Sequence, residues 1–331
     1  MILVRTPFRL PLGGGGTDLP AYYQKFGGKL ITAAVNKYMF ISINQPAIVD
    51  QIKINYSRTE IVAPDRIEDI QHEIVREALK WLDFRQPLEI SSMADLSAGT
   101  GMGSSSSYTV GLWKGLNTML RRDVSTHQLA EDACWIEIEL AGKPIGKQDQ
   151  FAAAFGGILS MDIDPDGTVH PTPLKIEQES IADLEHRLMM FYTGIQRDAN
   201  NILAEQGHKI DVRESAATRG MHAIKEIGVE VGEALLAGDV DAFGNLLHRH
   251  WTLKKSISSK MSDPVIDGWY DLAMRSGALG GKVMGAGGGG FMLFCVESHR
   301  RRELRSTMVN AGLRFMDFRF DWEGSKVLGN F

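Results

Sequence analysis

The stretch LSAGTGMGSSSS, residues 96–107, lies between a predicted strand from Pro87 to Met93 and a predicted helix that begins near Ser104. Glycine lets backbone N–H groups converge on an anion because no Cβ stands in the way, and the first N–H groups of a helix have no partner within it. The segment therefore predicts a site for phosphate groups at a helix N-terminus. A serine-rich linker is the alternative, but a linker would not lead directly into an amphipathic helix.

Two further glycine clusters flank this one: LPLGGGGTD, residues 10–18, and GKVMGAGGGG, residues 281–290. The third matches the GxGxxG pattern, but a strand-like run follows it at Phe291–Val296, so the dinucleotide interpretation fails. No GxxxxGK[ST] segment occurs, which excludes a P-loop. The first cluster places Arg9, Thr17 and Asp18 around a flexible turn, as suits sugar hydroxyls. The alternative for Asp18 is a cap on a helix over 19–26.

A fourth segment, EIELAGKPIGKQDQ at 137–150, places Glu137 and Asp149 at the two ends of a constrained turn. Beside a transferring phosphoryl group, a carboxylate can hold Mg²⁺ or accept the proton of the attacking hydroxyl. For Glu137, a solvated charge on a helix surface is the alternative.

Length and composition narrow the class of protein. The 331 residues predict about two domains, and the content of 44% hydrophobic and 23% charged residues is typical of a globular protein. A net charge of −5 without long runs of one sign argues against a nucleic-acid partner. No apolar run reaches the roughly 18–20 residues that span a bilayer, and we expect no signal peptide. Cys134 and Cys295 form no CxxC pair, so we expect a reduced, cytoplasmic protein.

Hydrophobic periodicity predicts a mixed α+β class with two domains and a cleft between them, and a boundary near 165–185. Predicted strands include 2–10, 30–44, 51–56, 87–93, 156–162, 186–192, 291–296 and 313–320. Predicted helices include 68–83, 104–120, 125–141 and 263–276, with long helical patterns across 198–260.

The three glycine clusters, in this order, resemble the motifs of the GHMP kinase superfamily, and the resemblance covers nearly the whole chain. The second motif of that superfamily has the form PxGxGLGSS, from which this chain departs at Ser97 and Met102. Galactokinases carry Glu-His before the Thr-Asp pair of the first motif, where Gly15 and Gly16 stand here. The GGGGTD form and the segments at 101–112, 146–157, 191–203 and 280–294 are similar to the branch that contains fucokinase and a kinase of D-glycero-D-manno-heptose 7-phosphate.

The resemblance implies a two-domain GHMP kinase fold. Residues 1–175 would form a domain like the second domain of ribosomal protein S5, with the ATP loop and the catalytic Asp. Residues 176–331 would form a ferredoxin-like domain with extra helices.

The resemblance also implies roles for individual residues. Asp149 would be catalytic, paired with Arg9. ATP phosphates would be bound by Gly99, Gly101, Gly103, Ser104, Ser105 and Ser106. Mg²⁺ would be held by Glu137 with Ser104 or Ser105. The sugar would be contacted by Gly15, Gly16, Thr17, Asp18, Gly287 and Gly288.

The implied reaction is ATP-dependent phosphorylation of the anomeric O1 of the heptose 7-phosphate, for GDP-heptose and bacterial surface glycans. The 7-phosphate needs a cationic pocket. The candidates are Arg5, Lys37, Lys147, Arg197 and Lys254, among which we prefer Arg197. The alternatives are a kinase of an unphosphorylated sugar such as L-fucose and a non-catalytic sugar sensor. The sequence leaves the oligomeric state open, with a homodimer as one option.

Overall fold

A long antiparallel strand pair organises the first half of the chain. The structure, a computed structural model, describes residues 1–195, 216–257, 262–285 and 287–331. The strand β1 (Ile2–Gly13) pairs along almost its whole length with β2 (Gly28–Asn44). From Thr6 onward every residue of β1 is buried, because helices cover this strand as well as neighbouring strands.

The other strands of this half belong to the same eight-stranded sheet. They are β3 (Ile52–Asn55), β4 (Thr59–Val62), β5 (Leu88–Ala94), β6 (Ile158–Ile163) and β7 (Val169–Pro173). The helices of this half are α1 (Pro20–Phe26), α2 (Glu73–Trp81), α3 (Ser104–Met119), α4 (Thr126–Cys134) and α5 (Gln148–Phe155). The sheet has the order β12-β1-β2-β5-β3-β4, where β12 (Lys326–Asn330) is the last strand of the chain. The first half of β2 pairs with β6, which in turn pairs with β7.

The second half contributes a four-stranded antiparallel sheet with the order β11-β8-β10-β9. Its elements are α6 (Gln178–Arg187), β8 (Leu188–Tyr192), α7 (Ala216–Leu236), α8 (Val240–Ile257), α9 (Pro264–Arg275), β9 (Ala278–Val283), β10 (Phe291–Val296), α10 (Arg301–Asn310) and β11 (Arg314–Met316). None of the helices in the described ranges is long and apolar enough to cross a membrane.

Helix α7 connects the two halves. It packs on β1 and β2 of the first sheet and on α8 of the second half. A Cβ at Gly228 would lie 3.0 Å from the Cα of Gly14, so the absence of a side chain at Gly228 lets the helix approach the first glycine cluster. Because α8 packs in turn on β9, residues of both halves meet near the end of β1.

The mixed α+β class is confirmed, with one sheet from each half of the chain, while several element boundaries differ from the sequence pattern. The helix expected over 68–83 begins only at Glu73, because extended His72 caps it with a bond to the N–H of Val75. The strand expected from His186 begins at Leu188, and the one expected over 313–320 covers only Arg314–Met316. The periodicity did not predict β4, β7, β9 or β12. The boundary near residue 175 stays a prediction, although β12 returns the end of the chain to the first sheet.

Candidate active site

A cavity of about 320 Å³ lies where the three glycine clusters, α5, α8 and β9 meet. It is lined by Arg9, Pro11, Gly15, Gly16, Asp18, Leu19, Ala98, Gly99, Gly101, Gly103, Ser104, Ser105, Ser106, Ile145, Gly146, Gln148, Asp149, His250, Lys254, Lys282, Val283 and Gly285. This volume is within the range that encloses small-molecule ligands. Residues far apart in sequence, from the first to the third glycine cluster, therefore form one site.

The centre of the cavity holds an arginine–carboxylate pair. Arg9 Nε donates to Asp149 Oδ1 at 2.6 Å, and Arg9 Nη2 donates to Asp149 Oδ2 at 2.9 Å. The remaining guanidinium nitrogen, Nη1, donates to the carbonyl of Gly101 at 2.5 Å. A planar guanidinium that makes two parallel bonds fixes both the position and the rotation of a carboxylate. The pair thus holds Asp149, in the first turn of α5, against the second glycine cluster.

That glycine cluster forms the wall beside the pair. Gly99, Gly101 and Gly103 all have φ of 76°, in the left-handed region. At Gly103 a Cβ would lie 3.0 Å from Asp149 Oδ2, so glycine there permits close contact with the pair. No side chain caps the N-terminus of α3, and the N–H groups at its start have no partner within the helix. The loop and the helix start therefore present donors and a positive dipole end to phosphate oxygens.

The third glycine cluster packs directly against the second. A Cβ at Gly285 would lie 2.9 Å from the Cα of Gly101, and one at Gly290 would lie 2.3 Å from the carbonyl oxygen of Thr100. Gly285 lines the cavity, whereas the predicted sugar contacts Gly287 and Gly288 are not among its lining residues. The cluster therefore supports the phosphate loop from behind.

Glu137 lies completely buried behind the start of α3. It belongs to a π-helical segment, Trp135–Leu140, that continues α4, and such segments change which side chains of a helix face inward. Burial raises the pKa of Glu137 to about 7, while the hydroxyls of Ser106 and Ser105 and the amide of Gln150 oppose that rise. Gln150 Nε2 donates to Glu137 Oε2 at 2.6 Å, and Oε1 has no hydrogen bond of good geometry among the described residues.

These features fit a Mg²⁺ ion. Oε1 of Glu137 is a buried carboxylate oxygen without a hydrogen bond of good geometry, and it lies close to serine hydroxyls. Mg²⁺ prefers oxygen ligands of this kind, and it commonly binds one carboxylate together with substrate phosphates. The hydroxyls that act on Glu137 are those of Ser105 and Ser106. Ser104 lines the cavity beside them.

Asp18 also lines the cavity and does not cap α1, whose N-cap residue is Leu19. Its carboxylate instead accepts the N–H groups of Gln148 and Gly16, both at 3.1 Å. Burial raises the pKa of Asp18, the charge of Asp149 adds to the rise, and these two hydrogen bonds oppose it. The alternative interpretation of Asp18 as a helix cap is thus wrong, and the carboxylate lies close enough to Asp149 to feel its charge.

The side chain of Thr17 has a different environment from that of the neighbouring Asp18. Its side chain is completely buried, and its hydroxyl donates to the carbonyls of Gly14 and Lys29 and accepts the N–H of Lys29. The structure therefore gives this hydroxyl a role in holding the glycine turn onto β2. Gly15 and Gly16, by contrast, line the cavity as expected for substrate contacts.

Three basic side chains of the second half form another wall. His250 and Lys254 come from α8, and Lys282 comes from β9. Burial lowers the pKa of all three, to about 8 for Lys254, and the mutual proximity of these groups adds to the lowering for His250 and Lys282. Among the candidate phosphate ligands, Lys254 is thus placed in the cavity.

The remaining candidate cations lie elsewhere. Arg5 pairs with Glu323 at 2.6 Å, Lys147 donates to the carbonyl of Gly167 at 2.6 Å, and Lys37 donates to the carbonyl of Asn36. None of these three lines the cavity. Arg197, the preferred candidate, lies outside the described residues.

Sequence reasoning missed three polar side chains of the cavity: Gln148, His250 and Lys282. Gln148 is buried with an amide nitrogen that lacks a partner among the described atoms. The sequence signal for His250 is its position on the apolar stripe of a helix, where a polar residue is unusual and indicates a functional role. Lys282 lies within the third glycine cluster, where the glycines give the stronger signal.

Comparison with known proteins gives the family. The model of the GHMP kinases N terminal domain matches residues 71–157, and that of the GHMP kinases C terminal domain matches residues 233–312. A D-glycero-alpha-D-manno-heptose 7-phosphate kinase of Campylobacter jejuni is 33% identical over 98% of both chains. An L-fucokinase/L-fucose-1-P guanylyltransferase of Bacteroides fragilis is 23% identical over 98% of this chain but only 38% of its own length.

Comparison with solved structures supports the same family. The crystal structure of a D-glycero-D-manno-heptose 1-phosphate kinase of Bacteroides thetaiotaomicron superposes with a TM-score of 0.83 at 26% identity, covering all of both chains. A mevalonate kinase structure at 20% identity and a TM-score of 0.74 shares the fold. Members of this family use ATP as the phosphate donor. The chain belongs to the GHMP kinase family and is a sugar kinase.

Proposed function

We propose that this kinase transfers the γ-phosphoryl group of ATP to the anomeric O1 of D-glycero-α-D-manno-heptose 7-phosphate. The observation that carries the proposal is the Arg9–Asp149 pair, which places a carboxylate within the cavity beside the phosphate loop. The identity of 33% to a heptose 7-phosphate kinase over 98% of both chains supports this choice of sugar. The product would enter the synthesis of GDP-heptose for a bacterial surface glycan, in the cytoplasm.

The binding of ATP would use the second glycine cluster. The N–H groups at the start of α3 and the glycines 99, 101 and 103 would hold the β- and γ-phosphates. Glu137 with Ser105 or Ser106 would hold Mg²⁺, which when bound would offset negative charge on the phosphate oxygens. Burial raises the pKa of Glu137 and disfavours the carboxylate, whereas a bound cation would lower that pKa and so favour the ionised form that binds the metal.

The attacking sugar hydroxyl would lie between Asp149 and the phosphate loop. Both oxygens of Asp149 bond to Arg9, yet each keeps a lone pair that can accept the proton of O1. Such general-base assistance contributes about 10²–10⁴-fold. Arg9 would also stabilise the negative charge that develops near the reacting oxygens, and alignment of the two substrates would supply most of the acceleration because the transition state is loose.

The sugar ring would be held by the first glycine cluster. Gly15 and Gly16 leave space beside Gln148, and the carboxylate of Asp18 can accept hydrogen bonds from ring hydroxyls. Its burial and fixed hydrogen bonds preorganise it for that purpose.

The test is ADP release with ATP and Mg²⁺ against a panel of sugars. The panel contains D-glycero-D-manno-heptose 7-phosphate, sedoheptulose 7-phosphate, L-fucose and D-galactose. We expect turnover with the mannoheptose phosphate alone. Turnover with fucose and none with the heptose phosphate would refute the substrate and favour the fucokinase-like alternative, and absence of turnover with every sugar would favour a non-catalytic sensor.

A further inference from the structure

The inner face of α8 changes from apolar to basic as it reaches the cavity. Phe243, Leu247, His250, Lys254 and Ile257 follow one another at intervals of four and three residues, which places them on one side of the helix. Phe243, Leu247 and Ile257 are buried among apolar side chains. His250 and Lys254 therefore occupy positions where this stripe would otherwise carry hydrophobic residues.

His250 and Lys282 are buried and Lys254 is half-buried, yet these basic groups lack the hydrogen-bonded ion pairs that normally accompany buried charges. His250 is only 1% exposed, and neither of its ring nitrogens has a hydrogen-bond partner among the described residues. Lys282 is 3% exposed and donates to the carbonyl of Leu12 at 3.3 Å. Within the described part of the chain, neither lysine forms an ion pair with a carboxylate. Burial of charge without such a partner is unfavourable unless a ligand supplies one.

The charges that line the cavity do not balance. Arg9 and Asp149 neutralise each other through their paired hydrogen bonds. Asp18 then remains as the only other carboxylate among the lining residues, against Lys254 and Lys282. A ligand with one or two negative charges would restore balance, and it would do so at the wall formed by the second half of the chain.

This wall is separate from the donors for ATP phosphates. Those donors come from the second glycine cluster and the start of α3, with Glu137 behind them. Lys254 instead interacts electrostatically with Asp18, the predicted sugar contact, and both lysines also interact with Arg9, whose partner Asp149 would face the attacking hydroxyl. An anion bound by α8 and β9 would therefore belong to the sugar and not to the nucleotide.

From this arrangement we infer that Lys254, Lys282 and His250 form the subsite for the phosphate monoester of the sugar substrate and thereby select phosphorylated over unphosphorylated sugars. This inference rests on the proposed function and adds to it the residues that recognise the second phosphate. The lysines supply charge, and the ring of His250 supplies a hydrogen-bond donor. Bound phosphate would also raise the pKa values that burial lowers.

The test compares D-glycero-D-manno-heptose 7-phosphate with unphosphorylated D-glycero-D-manno-heptose as acceptors for the wild-type enzyme and for Lys254→Met. The substitution removes the charge and keeps an unbranched side chain, so the fold should tolerate it. We expect a KM for the sugar phosphate about 10- to 100-fold higher, the loss associated with a charged hydrogen bond, and a corresponding loss of preference for the phosphate. Lys254→Arg should restore most of that preference.

Lys255→Met is the matched control, because the neighbouring Lys255 pairs with Asp267 and does not line the cavity. It should behave like the wild type. Lys282→Met should act as Lys254→Met does, and if loss of its bond to Leu12 prevents folding, Lys254→Met alone decides the question.

The outcomes separate the two proposals. If the wild type prefers the sugar phosphate and Lys254→Met keeps that preference, the subsite is overturned while the proposed function stands. If the wild type does not phosphorylate the sugar phosphate but accepts an unphosphorylated sugar, the proposed function fails, and the subsite fails with it. Loss of preference in Lys254→Met but not in Lys255→Met supports both.

Discussion

The buried Glu137 predicts an unusual combination of higher stability and lost activity in Glu137→Gln. In the folded chain burial holds the pKa of this carboxyl at about 7, against an ordinary value of 4.5. At 1.36 kcal/mol per pKa unit, an ionised Glu137 destabilises the fold by about 3 kcal/mol above pH 7 in the absence of metal. A glutamine keeps the shape without the charge, so the variant should be more stable at pH 8 than the wild type.

The direction of the pH dependence follows from the raised pKa. Below pH 4.5 the carboxyl is protonated in both the folded and the unfolded chain, so Glu and Gln should be nearly equivalent. Between 4.5 and 7 the unfolded chain ionises first, and the penalty for Glu137 grows until it is complete above pH 7. The entropy of unfolding is about 2.1 cal/mol/K per residue. For cooperative unfolding of 331 residues, the destabilisation of about 3 kcal/mol therefore corresponds to a difference of roughly 4 °C in Tm.

The assay is thermal unfolding in EDTA at pH 8 and at pH 5.5. Glu139→Gln is the matched control, because Glu139 is exposed two residues further along the chain and should show no such difference. Mg²⁺ with a non-hydrolysable ATP analogue should stabilise the wild type more than Glu137→Gln, and the variant should have little kinase activity. A Glu137→Gln protein that is less stable at pH 8, or whose Tm difference is the same at both pH values, would refute the reasoning.

Three further predictions concern the other walls of the cavity. Asp149→Asn should lower kcat about 10²–10⁴-fold while calorimetry shows ATP-analogue binding nearly unchanged, and near-wild-type turnover would remove the proton acceptor from the mechanism. Gly146→Ala should raise the KM for the sugar, because the new Cβ would lie 2.0 Å from Asp18 Oδ2. Gly268→Ala is the control, because its Cβ would meet no atom within 4 Å, and it should leave the kinetics unchanged. The KM for the sugar phosphate should rise above pH 8 as Lys254 loses its proton, and a flat profile to pH 9.5 in the wild type would argue against that charge.

The features that could be predicted from the sequence are those encoded by short contiguous segments. The glycine-rich loop at 96–107 is one, because a strand, a glycine cluster and a helix start follow one another directly and local geometry decides their shape. The resemblance further implied that Arg9 pairs with Asp149, and the structure joins them through two hydrogen bonds. The periodicity of β1 and β2 also predicted their extent to within a few residues.

The basic wall could not be predicted in the same way. It depends on packing between α8 and β9, which helix α9 separates in the chain, and no known motif marks His250 or Lys254 on α8. The inward position of Glu137 depends on a π-helical segment, for which the helix-like pattern of 125–141 gives no signal. The strand β12 was missed because its two large apolar residues, Val327 and Leu328, are adjacent, so the segment lacks the alternation that indicates a strand.

The measurement that tests the central claim most directly is ³¹P NMR of the reaction with D-glycero-D-manno-heptose 7-phosphate, ATP and Mg²⁺. The account predicts a new sugar-phosphate resonance that couples to the anomeric proton, grows in equal amount with ADP and leaves the 7-phosphate resonance in place. ADP formed together with inorganic phosphate, or a new phosphate on any hydroxyl other than O1, would contradict it.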